Sequence, residues 1–106
     1  MLNFLRKKSL TFYTCKDYLF TRAREMSLNP NITTDTASHY EIEFTKGTRK
    51  VTVTMFVYKH SPITIDVKDS HFILRIPRTT ANSDDKFKLA ANEILCKIDQ
   101  YFYNIK

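Results

Sequence analysis

The stretch 40–76, YEIEFTKGTRKVTVTMFVYKHSPITIDVKDSHFILRI, decides how this chain folds. Tyr40, Ile42 and Phe44 alternate with Glu41, Glu43 and Thr45, the period-two pattern of a strand with one face on a core and one face outward. The same alternation continues through Val51, Val53, Met55 and Val57, then Ile63, Ile65 and Val67, then Phe72, Leu74 and Ile76. The breaks between these runs carry turn residues. Lys46-Gly47-Thr48-Arg49 suits a hairpin in which Gly47 takes a positive φ, His60-Ser61-Pro62 turns the chain again, and Asp69-Ser70 makes a tight turn. The expected fold is therefore α+β: a four-stranded antiparallel meander over 40–45, 50–59, 63–68 and 71–76, with one apolar face. A slip of one residue in any strand would turn its apolar set outward, so the in/out assignment is firmly specified.

An apolar sheet face needs a covering layer. After Pro77 and a polar link over 77–82, Phe87, Ala91, Ile94, Leu95, Ile98, Tyr101, Phe102 and Ile105 recur at helical spacing. Asn82 or Ser83 can cap this long C-terminal helix, with Asp84 and Asp85 at its positive end. A shorter N-terminal helix is expected from about Cys15 to Ser27, opened by a Thr14-x-x-Asp17 capping box and showing Leu19, Ala23 and Met26 on one face. Before it, residues 1–9 read as an arm, and the β-prone Leu10–Thr14 can add a fifth short strand. Residues 28–38, rich in Asn, Thr and Ser, read as a loop.

At 106 residues this is one domain, 1–106, with ordinary hydrophobic (42%) and charged (26%) shares that exclude wholesale disorder. The net charge of +6 favours an acidic partner: nucleic acid or an acidic protein surface. The cations concentrate at the N-terminal end, where Arg6, Lys7, Lys8, Lys16, Arg22 and Arg24 face only Asp17 and Glu25. Cys15 and Cys96 lie far apart in sequence, with no metal-ligand or redox spacing. The N-terminus puts its charges after its apolar residues, the reverse of a secretory signal, and no apolar run is long enough to span a bilayer. These features point to a reducing, cytoplasmic setting. The abundance of Lys, Asn, Ile, Phe and Tyr suggests an AT-rich genome such as that of a phage or other mobile element.

No catalytic, cofactor or metal arrangement stands out. His39, His60 and His71 sit at expected strand ends and turns, with no nucleophile elbow and no second histidine one helical turn away. One glycine cannot build a phosphate-cradling loop. The outward sheet face is more informative, because Phe56, Tyr58 and Ile73 stand there among Lys68 and Arg75. Aromatic rings beside cations on a sheet can stack unpaired bases, and the same patch can be covered by a helix or a second subunit.

As an architectural unit, a four-stranded meander followed by a helix is similar to the unit of single-strand nucleic-acid binders such as the Whirly and PUR proteins. None of their motif residues can be placed on this chain. The first expectation is a non-enzymatic nucleic-acid-binding protein, with Arg6, Lys7, Lys8, Lys16, Arg22, Arg24, Lys68 and Arg75 available to phosphates and Phe56 and Tyr58 to bases. The other is a protein–protein adaptor or inhibitor, with a homodimer among its forms, using the sheet face or an edge strand.

Overall fold

The computed structural model describes residues 12–58, 63–68, 70–77 and 84–103. Helix α1 (Phe12–Glu25) is followed by strands β1 (Asn31–Asp35), β2 (His39–Lys46), β3 (Arg49–Tyr58), β4 (Thr64–Lys68) and β5 (His71–Pro77), then by helix α2 (Asp84–Tyr103). The class is the expected α+β, and the five strands form one mostly antiparallel sheet. Its order is β1-β2-β3-β5-β4, which is not a meander. β5 lies between β3 and β4 and runs parallel to β3, with Val53 opposite Phe72 and Met55 opposite Leu74. β4 sits outside it, antiparallel, as a sheet edge.

The side chains explain this placement. β5 carries Phe72, Leu74 and Ile76 inward and adds Ile73 on its outer side, which suits an interior position. β4 alternates Ile65 and Val67 with Thr64, Asp66 and Lys68, and a short charged strand suits an edge. Alternation sets which face each strand buries, whereas neighbour order depends on how apolar the opposite face is. The six chain steps from Tyr58 to Thr64 reach about 20 Å, enough to pass two strand spacings of about 4.8 Å each.

Two further expectations change. Residues 31–35 form β1 rather than loop, pairing antiparallel with β2 and shifting register between Ile32 and Thr34. Ile32, Thr33 and Thr34 are β-branched, and an edge strand needs only one of its two hydrogen-bonding sides satisfied. Conversely, Phe12–Thr14 of the expected short strand belong to α1, Leu10 and Thr11 lie outside the described residues, and the fifth strand described is β1. Thr14 lies inside α1 and is not its N-cap, and Phe12, Cys15, Leu19 and Ala23 recur at helical spacing and pack inward together. The expected arm at 1–9, the turn at 60–62, the link from 78 to 82 and Ile105 lie outside the described residues.

α1 stops in a Schellman motif. Ser27 has φ +66°, its amide bonds to the Arg24 carbonyl at 3.0 Å, and the Leu28 amide bonds to the Ala23 carbonyl at 3.0 Å. Leu28 is buried, supplying the apolar contact that accompanies such ends. Ser27 therefore holds a left-handed conformation that glycine adopts more cheaply. Ser27→Gly should raise the unfolding free energy by roughly 0.5–1 kcal/mol, read as a higher urea midpoint at unchanged slope. At the β2–β3 hairpin this role does fall to glycine: Gly47 has φ +64°, and Gly47-Thr48 make a two-residue loop between the paired Lys46 and Arg49.

Both helices cover the same sheet face. Tyr40, Ile42, Phe44, Val51, Val53, Met55, Phe72, Leu74 and Ile76 are buried as expected, beneath Cys15, Leu19 and Ala23 of α1 and Phe87, Ala91, Ile94, Leu95, Ile98 and Phe102 of α2. Ile63 and Ile65 pack at the margin, Val67 is 52% exposed, and Tyr101 lies at the rim. Phe87 bridges the helices, meeting the Tyr18 ring edge-on with centroids 6.0 Å apart. Nearby, the Arg22 Nε donates to Asn92 Oδ1 and the Asn92 amide donates to the Tyr18 hydroxyl, both at 2.9 Å. α1 is also tied to β1, since Lys16 Nζ reaches Asp35 at 2.6 Å and lies over the Tyr40 ring.

Tyr40 reports on this junction. Burial, reinforced by the negative charges of Asp35 and then Asp17, pushes its hydroxyl up to about 12. Below pH 10 the group is neutral in both folded and unfolded chains and its stability contribution is intact. Above pH 10 the unfolded chain ionises first, so stability falls as pH climbs toward 12, by roughly 2–3 kcal/mol in all. Urea titrations in that window should show this loss in the native protein and a smaller one in Tyr40→Phe.

Candidate nucleic-acid and partner-binding surfaces

With both helices on one side, the other side of the sheet has no layer over it among the described residues. Register places His39, Glu41 and Glu43 of β2, Thr52, Thr54, Phe56 and Tyr58 of β3, His71, Ile73 and Arg75 of β5, and Asp66 and Lys68 of β4 on this outer face. A polar chain runs across four strands at its centre. Thr33 Oγ1 donates to Glu41 Oε2 at 3.0 Å, Thr54 Oγ1 donates to Glu41 Oε1 at 3.4 Å, and His71 Nε2 lies 2.8 Å from Thr54 Oγ1. With the Thr54 proton on Glu41, the His71 ring is the donor of that last bond.

Thr54 and His71 have the spacing of a nucleophile and base, but Thr54 is only 2% exposed. A substrate carbonyl cannot approach a hydroxyl enclosed in that way. The arrangement instead cross-links the strands, and it accounts for a threonine being the buried polar residue of the sheet. His39 also differs from a solvated turn residue: its ring lies 4.6 Å from that of Phe56, and its Nε2 is buried without a hydrogen-bond partner among the described residues.

Toward the far end of β3, Arg75 pairs with Asp66 and lies 5.6 Å over the Tyr58 ring. Tyr58 keeps 43% of its surface exposed. Phe56 is half-buried next to it on β3, Ile73 is half-buried further along β5 opposite Thr54, and Lys68 is exposed at the end of β4. Lys50, Lys68 and Arg75 on this face are matched by Glu41, Glu43 and Asp66, so its charge is balanced.

The expected α1 cations lie on the other layer. Lys16 is held by Asp35 and the Thr36 carbonyl, and Arg22 by Asn92 and Glu25, while Arg24 is exposed. The sheet therefore separates Lys16, Arg22 and Arg24 from Phe56, Tyr58, Lys68 and Arg75, and the fold does not gather them into one surface. Arg6, Lys7 and Lys8 lie outside the described residues, as do Lys59, Arg78 and Lys106 against the single acid Asp69. Most of the chain's positive excess is thus in those segments, and the described body is close to neutral.

A cluster that sequence reading passed over stands at the β2–β3 hairpin. Lys46 and Arg49 are directly opposite across the two-residue loop, Thr45 is opposite Lys50, and all are exposed. Like charges directly opposed cost stability. Arg49 lies 5.1 Å over the Tyr101 ring, which leaves its charge intact, and the Lys50 ammonium is 3.8 Å from Glu43. The signal was the string Lys46-Gly47-Thr48-Arg49-Lys50 itself.

A cleft of about 320 Å³ opens between the end of α1, the end of β2 and the last turn of α2, floored by Phe44 and Phe102 with Lys46 and Asp99 at its edge. Among the described residues, neither histidine nor cysteine lines it. Among the described residues, no helix is long and apolar enough to cross a membrane. Compared with protein-family models, curated proteins and solved structures, the chain matches none.

Proposed function

We propose that this is a small non-enzymatic nucleic-acid-binding protein that holds the phosphate backbone with the tip of the β2–β3 hairpin. The observation that carries the reading is the opposition of Lys46 and Arg49 at an exposed turn, with Lys50 adjoining. Lys46 and Arg49, side by side on one face of the hairpin tip, present positive charge at roughly the 5 Å spacing of a cross-strand pair, close enough to engage neighbouring phosphates, and Lys50 adds a cation on the outer face. Arg6, Lys7 and Lys8 supply further charge on the same chain. From Lys50 the outer face leads along β3 to Phe56 and Tyr58, where exposed ring surface is available to an unpaired base.

Fluorescence anisotropy with labelled single-stranded and duplex oligonucleotides, repeated across a salt series, tests the reading. Binding that weakens steeply with salt is the expected result. Absence of binding at low ionic strength rejects it.

One observation favours a second reading, a protein-binding module. Phe56, flanked by Tyr58 on its own strand and diagonally by Ile73 on β5, lies on a charge-balanced face, a composition that suits a protein surface better than a polyanion. A partner bound there would be lost with Ile73→Asp and indifferent to neutralising the hairpin cations.

A further inference from the structure

We propose that two copies of this chain associate through β4, pairing antiparallel across a two-fold axis with Val67 against the partner's Val67, so that two sheets join into one. The inference is independent of what the hairpin binds. It begins from Val67, which faces the apolar layer opposite Phe72 yet is 52% exposed, with no strand or helix among the described residues closing over it. The outer hydrogen-bonding edge of β4 has no strand beside it among the described residues.

The two edges of the sheet differ. β1 breaks register between Ile32 and Thr34, and its Asp35 turns toward α1 to meet Lys16. A bulge and an inward charge are the devices that keep an edge from recruiting a further strand. β4 shows neither: its pairing with β5 is regular from Thr64 to Lys68, and its inward residues are Ile65 and Val67.

Parity and charge then select the pairing. A two-fold axis perpendicular to the sheet keeps inner residues opposite inner residues, so the two residue numbers facing each other must sum to an even value. Centring on Asp66 would set one carboxylate against its copy. Centring on Val67 sets Asp66 against the partner's Lys68 and Lys68 against the partner's Asp66, two opposite-charge pairs on the outer face flanking a valine contact on the inner one. All four helices then lie on one side, and both hairpin tips and both outer faces stay accessible. The contact is short, so association is expected in the micromolar range or weaker.

Sedimentation velocity from low-micromolar to near-millimolar protein, after nuclease treatment and at high salt, should show mass rising toward twice that of the monomer. Lys68→Glu alone and Asp66→Lys alone should each stay monomeric under the same conditions. Mixed in equal amounts they should form a dimer, because each then opposes two unlike charges. A monomer throughout the wild-type series, a dimer that survives in both single variants, or no recovery on mixing overturns the proposal. Since Asp66 also meets Arg75, a second measurement avoids it: Val67→Cys in a Cys96→Ser background. The paired Cα atoms would be about 4.5–5.5 Å apart, within disulfide reach, so mild oxidation should yield a covalent dimer. Ile32→Cys in the same background, on the opposite edge, should not. Equal cross-linking at both edges, or none at Val67, overturns it as well.

Discussion

Replacing Lys46, Arg49 and Lys50 together with glutamine is expected to reduce nucleic-acid affinity by about 100-fold near 0.1 M salt, with the fold unchanged. The size follows from counterion release: each phosphate contact contributes about 0.7 to the slope of log affinity against log salt on single strands and about 0.9 on duplex. Losing three contacts lowers that slope by roughly 2 to 3. The three side chains are exposed and, among the described residues, make one ion pair, Lys50 with Glu43 at 3.8 Å, and one cation–π contact, Arg49 over Tyr101, so their neutralisation removes little that holds the chain together. Relief of the Lys46–Arg49 opposition should leave thermal stability equal or slightly higher. Anisotropy at several salt concentrations measures the slope, and circular dichroism melts check the fold. A triple variant with wild-type slope would move the phosphate contacts away from the hairpin. Arg6→Gln/Lys7→Gln/Lys8→Gln then measures the share of the N-terminal cluster in the same assay.

Phe87→Ala should lower the unfolding free energy by about 3–5 kcal/mol, the range for removing a fully enclosed aromatic ring. The ring stands where α2, α1 and the sheet meet, edge-on to Tyr18, and the hydrogen bonds joining Tyr18, Asn92 and Arg22 lie beside it. A cavity there costs transfer energy and also loosens the docking of α1. For a domain whose total stability is of order 5–15 kcal/mol, this is a large fraction, and the melting temperature should drop by well over 10 °C. Leu89→Ala on the same helix is the control: Leu89 is 71% exposed, and its removal should change stability by less than about 0.5 kcal/mol. Urea unfolding of both variants decides the matter. Similar midpoints for the two would mean that the α1–α2 junction is not where the stability lies.

The inner face was legible from residues 40–76 alone. Alternation separates two faces whatever the neighbour order, and Tyr40, Ile42, Phe44, Val51, Val53, Met55, Phe72, Leu74 and Ile76 are all buried. Val57 and Val67 show where that logic weakens: an inward position is enclosed only if something lies above it, and Val57 stays half-buried and Val67 52% exposed although Ile65 between them in sequence packs against the core. β1 was illegible because an Asn- and Thr-rich run reads as loop until a partner strand supplies its hydrogen bonds. The candidate sites split in the same way. Phe56, Tyr58, Lys68 and Arg75 were rightly placed on the outer face, because parity settles it. Lys16 and Arg22 looked like a free basic surface, because sequence does not show that Asp35 and Asn92 lie within reach of them.

By itself, the sequence determined the class, the two helices, the composition of the core and the positive balance of the chain. These follow from periodicity and composition, which are local properties. Only the tertiary structure decided that β5 enters between β3 and β4, that both helices share one face, and that Lys16 and Arg22 are held by Asp35 and Asn92. Each of those depends on which segments come to lie side by side, and the interactions that settle it join residues far apart in the chain.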